Sequence, residues 1–182
     1  MSQPMYDRYQ HIRFDIRERI LTVTMDSPPL NAVGRPLHDE LSNVFVDVAR
    51  DQDCDVVILT GAGKAFSAGA DLPGLLNATQ DKALRTALLS RAPAIVHSLL
   101  SLEKPIIAKM NGHAMGLGAT LALLCDVVIA SNDARIADPH VGVGLSAGDG
   151  GALIWPHLIG YARARHYLLT GDQLTAPAEK AI

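Results

Sequence analysis

The sequence predicts an α/β fold, and three observations predict it. Short runs with strand character alternate with runs of helical period along the whole chain. The order is repeatedly strand, strand, helix, with no linker and no low-complexity segment between. The length of 182 residues suits one domain over 1–182 with a real core. An apolar fraction of 48% and a charged fraction of 19% are those of an ordinary globular protein.

The elements follow in order. "HIRFDIRE" and "ILTVTMD" alternate in polarity and read as a strand pair. "DSPPLNAVGRP" is a loop, set by two prolines, Asn31 and Gly34. "LHDELSNVFVDVARD" places Leu37, Leu41, Val44, Phe45 and Val48 at helical spacing. "DVVILTG" is a buried strand ending in a glycine turn, and "AGKAFSAGADLPG" a loop of small residues. "DKALRTALLSRAPAIVHSLLSLE" reads as helix with a local disturbance at Pro93. "KPIIAKMNG" is a strand, "GLGATLALLC" a buried helix, and "DVVIASND" and "ARIAD" two further strands. "ALIWPHLIG" and "ARARHYLLTG" read as helices ended by glycine. A last amphipathic helix is expected to begin after Thr175.

Several function classes drop out early. A net charge of -3 gives no basic surface for nucleic acid. The polar start "MSQPMYDRYQ" is not a signal segment, and the longest apolar run is broken by Asp126, so no membrane partner is expected and a cytoplasmic location is. Cys54 and Cys125 read as small buried hydrophobes. No Cys/His spacing fits a zinc site, so no metal is expected. "GVGLSA" fits a loose dinucleotide pattern but lacks the acidic residue about 20 positions on that such a site needs.

Backbone amides offer a better use for the glycine loops. Helix "GLGATLALL" begins at its glycines, which leaves N–H groups near Gly116, Leu117 and Gly118 unpaired. The loop at Gly69 and Ala70 can bring another N–H from the other side, and two converging amides can hold a developing oxyanion. Tight packing of the helix on a sheet also demands glycine.

"KAFSAGADL", "KPIIAKMNGHAMGLGATLALLCDVVIAS" and "ARIADPHVGVGLSAGDGG", taken in that order, resemble the enoyl-CoA hydratase/isomerase family, the crotonase superfamily. The resemblance runs from the "PPLNAV" loop to "YLLTGDQLTA". It implies a crotonase-like spiral of ββα units and an acyl-CoA substrate, with coenzyme A entering only as part of that substrate and no other cofactor. It implies an oxyanion hole from the N–H groups of Ala70 and Leu117. It implies a coenzyme A arm passing Pro29, Leu30, Ser67, Ala68 and Asp71, and an acyl pocket near His113, Gly116 and Thr120. Asp71 also stands where it can cap a short helix. The family continues into C-terminal helices that build trimers, often paired as hexamers. The chain ends at Ile182, so most of that helical region is expected to be lacking, and self-association as a homotrimer or dimer of trimers is expected.

Two departures shape the functional reading. Where the family's hydratases carry their two catalytic glutamates, this sequence has Thr120 and His140. His140 is followed nine residues later by Asp149, a separation similar to that in superfamily members that cleave β-diketones. Asp149 hydrogen-bonded to one ring nitrogen would leave the other to act as a base toward water. Asp149 as a mere helix cap is the structural alternative. His97, His157 and His166 lie in helices and read as structural or exposed, and Trp155 and Met115 as core. The leading expectation is an enoyl-CoA hydratase/isomerase-type lyase. The alternatives are hydrolytic carbon–carbon cleavage of a β-dicarbonyl compound and a non-catalytic acyl-CoA binder.

Overall fold

The computed structural model describes residues 4–175. Strands β1 (Ile12–Arg17) and β2 (Ile20–Met25) form an antiparallel pair with Phe14 opposite Val23. Helix α1 (Arg35–Arg50) then carries the chain across to β3 (Val56–Gly61), which joins β2 in parallel. Helices α2 (Leu72–Gln80) and α3 (Lys82–Leu100) lead to β4 (Ile106–Met110), parallel to β3. A parallel neighbour requires such a crossover.

Strand β5 (Ala114–Met115) and helix α4 (Leu117–Leu123) precede β6 (Val127–Ala130), which pairs with β4. The five-stranded sheet therefore has the order β1-β2-β3-β4-β6. Strands β7 (Arg135–Ala137) and β8 (Leu174–Thr175) form a small second sheet of order β5-β7-β8. Helices α5 (Gly151–Ile159) and α6 (Tyr161–Thr170) lie between β7 and β8 in the chain. This is the mixed α/β fold that the alternating pattern predicts.

The apolar stripe of α1 explains the packing. Leu37, Leu41, Val44, Phe45 and Val48 are all buried and share one core with Leu21, Val23, Val57 and Leu59. At roughly 1.5–3 kcal/mol for each buried side chain of this size, the stripe holds α1 on the sheet. The polar side of the helix is tied down too. Asp47 accepts hydrogen bonds from Tyr9 at 2.7 Å and Arg8 at 2.5 Å, and Asp51 accepts from Tyr6 at 2.7 Å.

Three details differ from the sequence reading. The small-residue loop ends at Asp71 rather than Gly74, because Asp71 accepts from Gly74 N at 3.1 Å and caps α2. Helix α3 runs through Pro93 unbroken. The two-residue strands β5 and β8 were not legible. The helix expected after Thr175 lies outside the described residues.

Among the described residues, no helix is long and apolar enough to cross a membrane.

Candidate active site

A cavity of about 380 Å³ opens where the N-terminus of α1, helices α2 and α3, the start of α4 and the 145–149 loop meet. Its walls are largely apolar, from Val33, Leu75, Ala92, Leu117 and Leu145. Its polar lining includes His38, His140 and Asp149.

The first wall is a pair of glycine-bearing loops. Gly69 has φ +78°, and a Cβ there would lie 2.5 Å from the Met115 carbonyl oxygen. Only glycine permits this approach. The Gly69 carbonyl accepts from Val33 N at 2.7 Å, and the next residue, Ala70, lines the cavity. Across from it, Leu117 opens α4, so its N–H has no partner within the helix. Gly116 sits at φ +51° with His140 Cε1 3.4 Å from where a Cβ would be. The two loops and His140 therefore crowd together.

Asn31 fixes the first loop from beneath. It is buried, and its amide donates to the carbonyls of Ala62, Ala65 and Phe66 at 2.9, 2.9 and 3.2 Å.

The second wall is charged. Asp138 directly follows β7, and its side chain is 1% exposed. Its Oδ1 lies against His140 Nδ1 as a short hydrogen bond. The other ring nitrogen, Nε2, is 3.3 Å from Asp149 Oδ2. Asp149 is held in turn by Thr120, whose hydroxyl donates to Oδ1 at 3.4 Å. His140 thus lies between two carboxylates with only 15% of its side chain exposed. The hydrogen bond to Asp138, then that to Asp149, push its pKa up to about 10, against the opposing effect of burial. The ring is an imidazolium at neutral pH.

Among the described residues, Asp138, His140 and Asp149 also form a group with three potential metal-ligand atoms within 4.8 Å. The carboxylates address opposite nitrogens of one ring, an arrangement suited to holding a proton rather than to enclosing one cation.

This geometry revises the expected dyad. His140 and Asp149 do meet, but Nδ1 is already taken by Asp138, so no ring nitrogen is left as a free base. Asp138 was not anticipated. Asp149 is not a helix cap: the N-cap of α5 is Gly150, with no side-chain cap bond.

Other expected site residues distribute as follows. Ala70, Asp71 and Leu117 line the cavity, and Gly116 adjoins it through His140. Thr120 is fully buried and reaches the site only through Asp149. Ser67 is a correction: it is fully buried, and its hydroxyl donates to the Asn31 carbonyl at 2.8 Å, which makes it a strut between loops. His113 is another: its side chain is exposed and away from the cavity, while its carbonyl accepts from Phe66 N and Ser67 N. Pro29, Leu30 and Ala68 sit outside the cavity on exposed loop, joined where Ala68 N donates to Leu30 O at 2.9 Å.

His38 is the residue that sequence reasoning missed. It projects from α1 into the cavity wall and is 7% exposed. Burial pushes its pKa down, so this ring is neutral where His140 is charged. The available signal was a histidine three residues before Leu41 and seven before Phe45, on the apolar stripe.

Comparison with known proteins agrees with the geometry. The enoyl-CoA hydratase/isomerase family pattern matches residues 15–181. A Dictyostelium discoideum protein, "Probable enoyl-CoA hydratase, mitochondrial", is 38% identical over 90% of this chain and 58% of its own. The Escherichia coli 2,3-dehydroadipyl-CoA hydratase is 35% identical over 88% of this chain and 62% of its own. The chain therefore spans about three-fifths of the length of these relatives. The crystal structure of an enoyl-CoA hydratase/isomerase from Mycobacterium paratuberculosis superposes with a TM-score of 0.92 at 36% identity, covering 95% of this chain and 70% of that one. With the pattern matched over nearly its full length, the chain belongs to the enoyl-CoA hydratase/isomerase family.

Proposed function

We propose that this chain carries the acyl-CoA site of a lyase that adds water to an enoyl thioester. The observation that carries the reading is the His140 imidazolium, held between Asp138 and Asp149 beside the cavity that Ala70 and Leu117 line. The coenzyme A arm runs over the exposed Leu30 and Ala68, and the thioester oxygen sits at the amides of Ala70 and Leu117. Asp149 accepts a proton from water as the hydroxyl adds to Cβ. The alkene pair moves through Cα to the thioester oxygen, and the enolate is held by the two amides. His140 then gives its proton to Cα, and Asp149 returns one to His140. Asp138 keeps the ring oriented and favours its return to the charged form. The reaction so written needs no further cofactor. Relatives named for enoyl-CoA hydration support this chemistry.

A second reading is hydrolytic carbon–carbon cleavage of a β-dicarbonyl compound. Thr120 and His140 at the two glutamate positions favour it. Incubation with crotonyl-CoA and, separately, with a β-diketone, with products identified by mass, decides between them. Hydration is expected to give 3-hydroxybutyryl-CoA, and His140→Ala to lower the rate by about 10²- to 10⁴-fold. Cleavage of the diketone alone would favour the second reading. Acyl-CoA binding without any product would mark a non-catalytic binder.

Assembly belongs to the same reading. Strand β6 is an edge whose Val127, Val128 and Ile129 are 49%, 37% and 59% exposed, and Leu153 and Leu158 are exposed on neighbouring α5. Such a face favours self-association as a trimer or dimer of trimers. Light scattering is expected to show it, and a monomer at every concentration would contradict it.

A further inference from the structure

A buried polar atom without a partner calls for an explanation, and His38 has one. Its Nδ1 is fully buried and makes no hydrogen bond. Leaving such an atom unsatisfied costs as much as a lost hydrogen bond, and native structures hold few of them. A leucine or isoleucine would suit the α1 stripe at this position without that cost. Among the described residues none bonds this Nδ1. The cavity that His38 lines is shared by apolar Val33, Leu75 and Ala92 and by polar His140 and Asp149. Arg91 and Asp39 are engaged with each other at 2.8 Å. Asp149 acts on the His38 ring electrostatically from the same cavity, which His38 itself lines.

We propose that His38 is a specificity-determining residue that hydrogen-bonds an oxygen on the acyl chain of the substrate, so that the site prefers an acyl thioester bearing a second carbonyl or hydroxyl over one with a plain hydrocarbon chain. The inference rests on the acyl-CoA reading above and narrows it. A neutral imidazole offers one donor and one acceptor, so it can serve either oxygen type. Val33, Leu75 and Ala92 of the same cavity are apolar, so a polar acyl group on that side has His38 to bond. A site built to hydrogen-bond a group discriminates strongly against the analogue lacking it, because the site's own atom is then left unpaired.

Calorimetry with acetoacetyl-CoA and butyryl-CoA, which share a four-carbon acyl chain, tests this. The unsubstituted protein is expected to bind acetoacetyl-CoA about tenfold more tightly or better. His38→Leu and His38→Phe are each expected to erase that gap while holding butyryl-CoA within about twofold. Part of the gap could come from the amides at Ala70 and Leu117, and only the share lost in the variants is assigned to His38. Equal affinities in the unsubstituted protein, or a gap that survives in both variants, would overturn the role of His38 and leave the acyl-CoA reading standing. Failure of the unsubstituted protein to bind either thioester would overturn both.

Discussion

Asp138→Asn isolates the charge that keeps His140 protonated. The asparagine oxygen can still accept from Nδ1, so the ring stays in place while the anion is lost. The His140 pKa of about 10, set against the ordinary 6.5, corresponds to about 5 kcal/mol of preference for the cation. The bond to Asp138 is the largest contributor, so removing its charge should lower the pKa by about 2 pH units. A raised folded pKa gives stability that is complete below about pH 6.5 and is lost as pH rises through about 10. The variant should therefore melt below the parent at pH 6, and the two should converge toward pH 10. The expected deficit of about 2–3 kcal/mol at pH 6 lowers Tm by roughly 4–12 °C for a chain of this size. Titration of histidine Cε1 protons by NMR reads the pKa directly. An unchanged His140 titration in the variant would refute the reasoning.

Three further outcomes follow from the same contacts. Gly151→Ala would set a Cβ 2.1 Å from Asp138 Oδ2, so the carboxylate must move, and thermal melts should show a loss of about 1–3 kcal/mol together with a lower His140 pKa. Asp149→Asn should slow turnover in a steady-state assay while leaving α5 intact, since Gly150 is the N-cap there; an unchanged rate would remove Asp149 from the chemistry. Asp71→Ala should cost about 1 kcal/mol in a thermal melt by uncapping α2, and Asp71→Asn should cost little, because asparagine caps equally well.

Local pattern carried much of this fold into the sequence, and its limits are physical. The α1 stripe and the β1–β2 alternation are one-dimensional signals, so both were legible. Strands β5 and β8 have two residues each, too short for any periodicity, and exist because neighbouring strands pair with them. The His140–Asp149 contact was legible through a resemblance. Asp138 was not, because it follows a strand, two residues from His140, and only the turn at Pro139 folds it back onto the ring. Ser67 and His113 looked like site residues because they stand in the right loops. Which way a loop residue faces depends on hydrogen bonds such as Ser67 to Asn31, and these join segments far apart in the chain. His38 was hidden for the opposite reason: it occupies a core position of α1, and only the cavity beside it gives it a role.

The central claim is that His140 works as an acid, held protonated by Asp138 and Asp149, and not as a neutral base. The pH dependence of kcat for hydration of crotonyl-CoA tests it most directly. The account predicts that the His140-dependent rate is sustained through pH 6.5 and declines as pH rises through about 10. A rate that instead rises with pH through about 6.5, as the neutral ring forms, would contradict it.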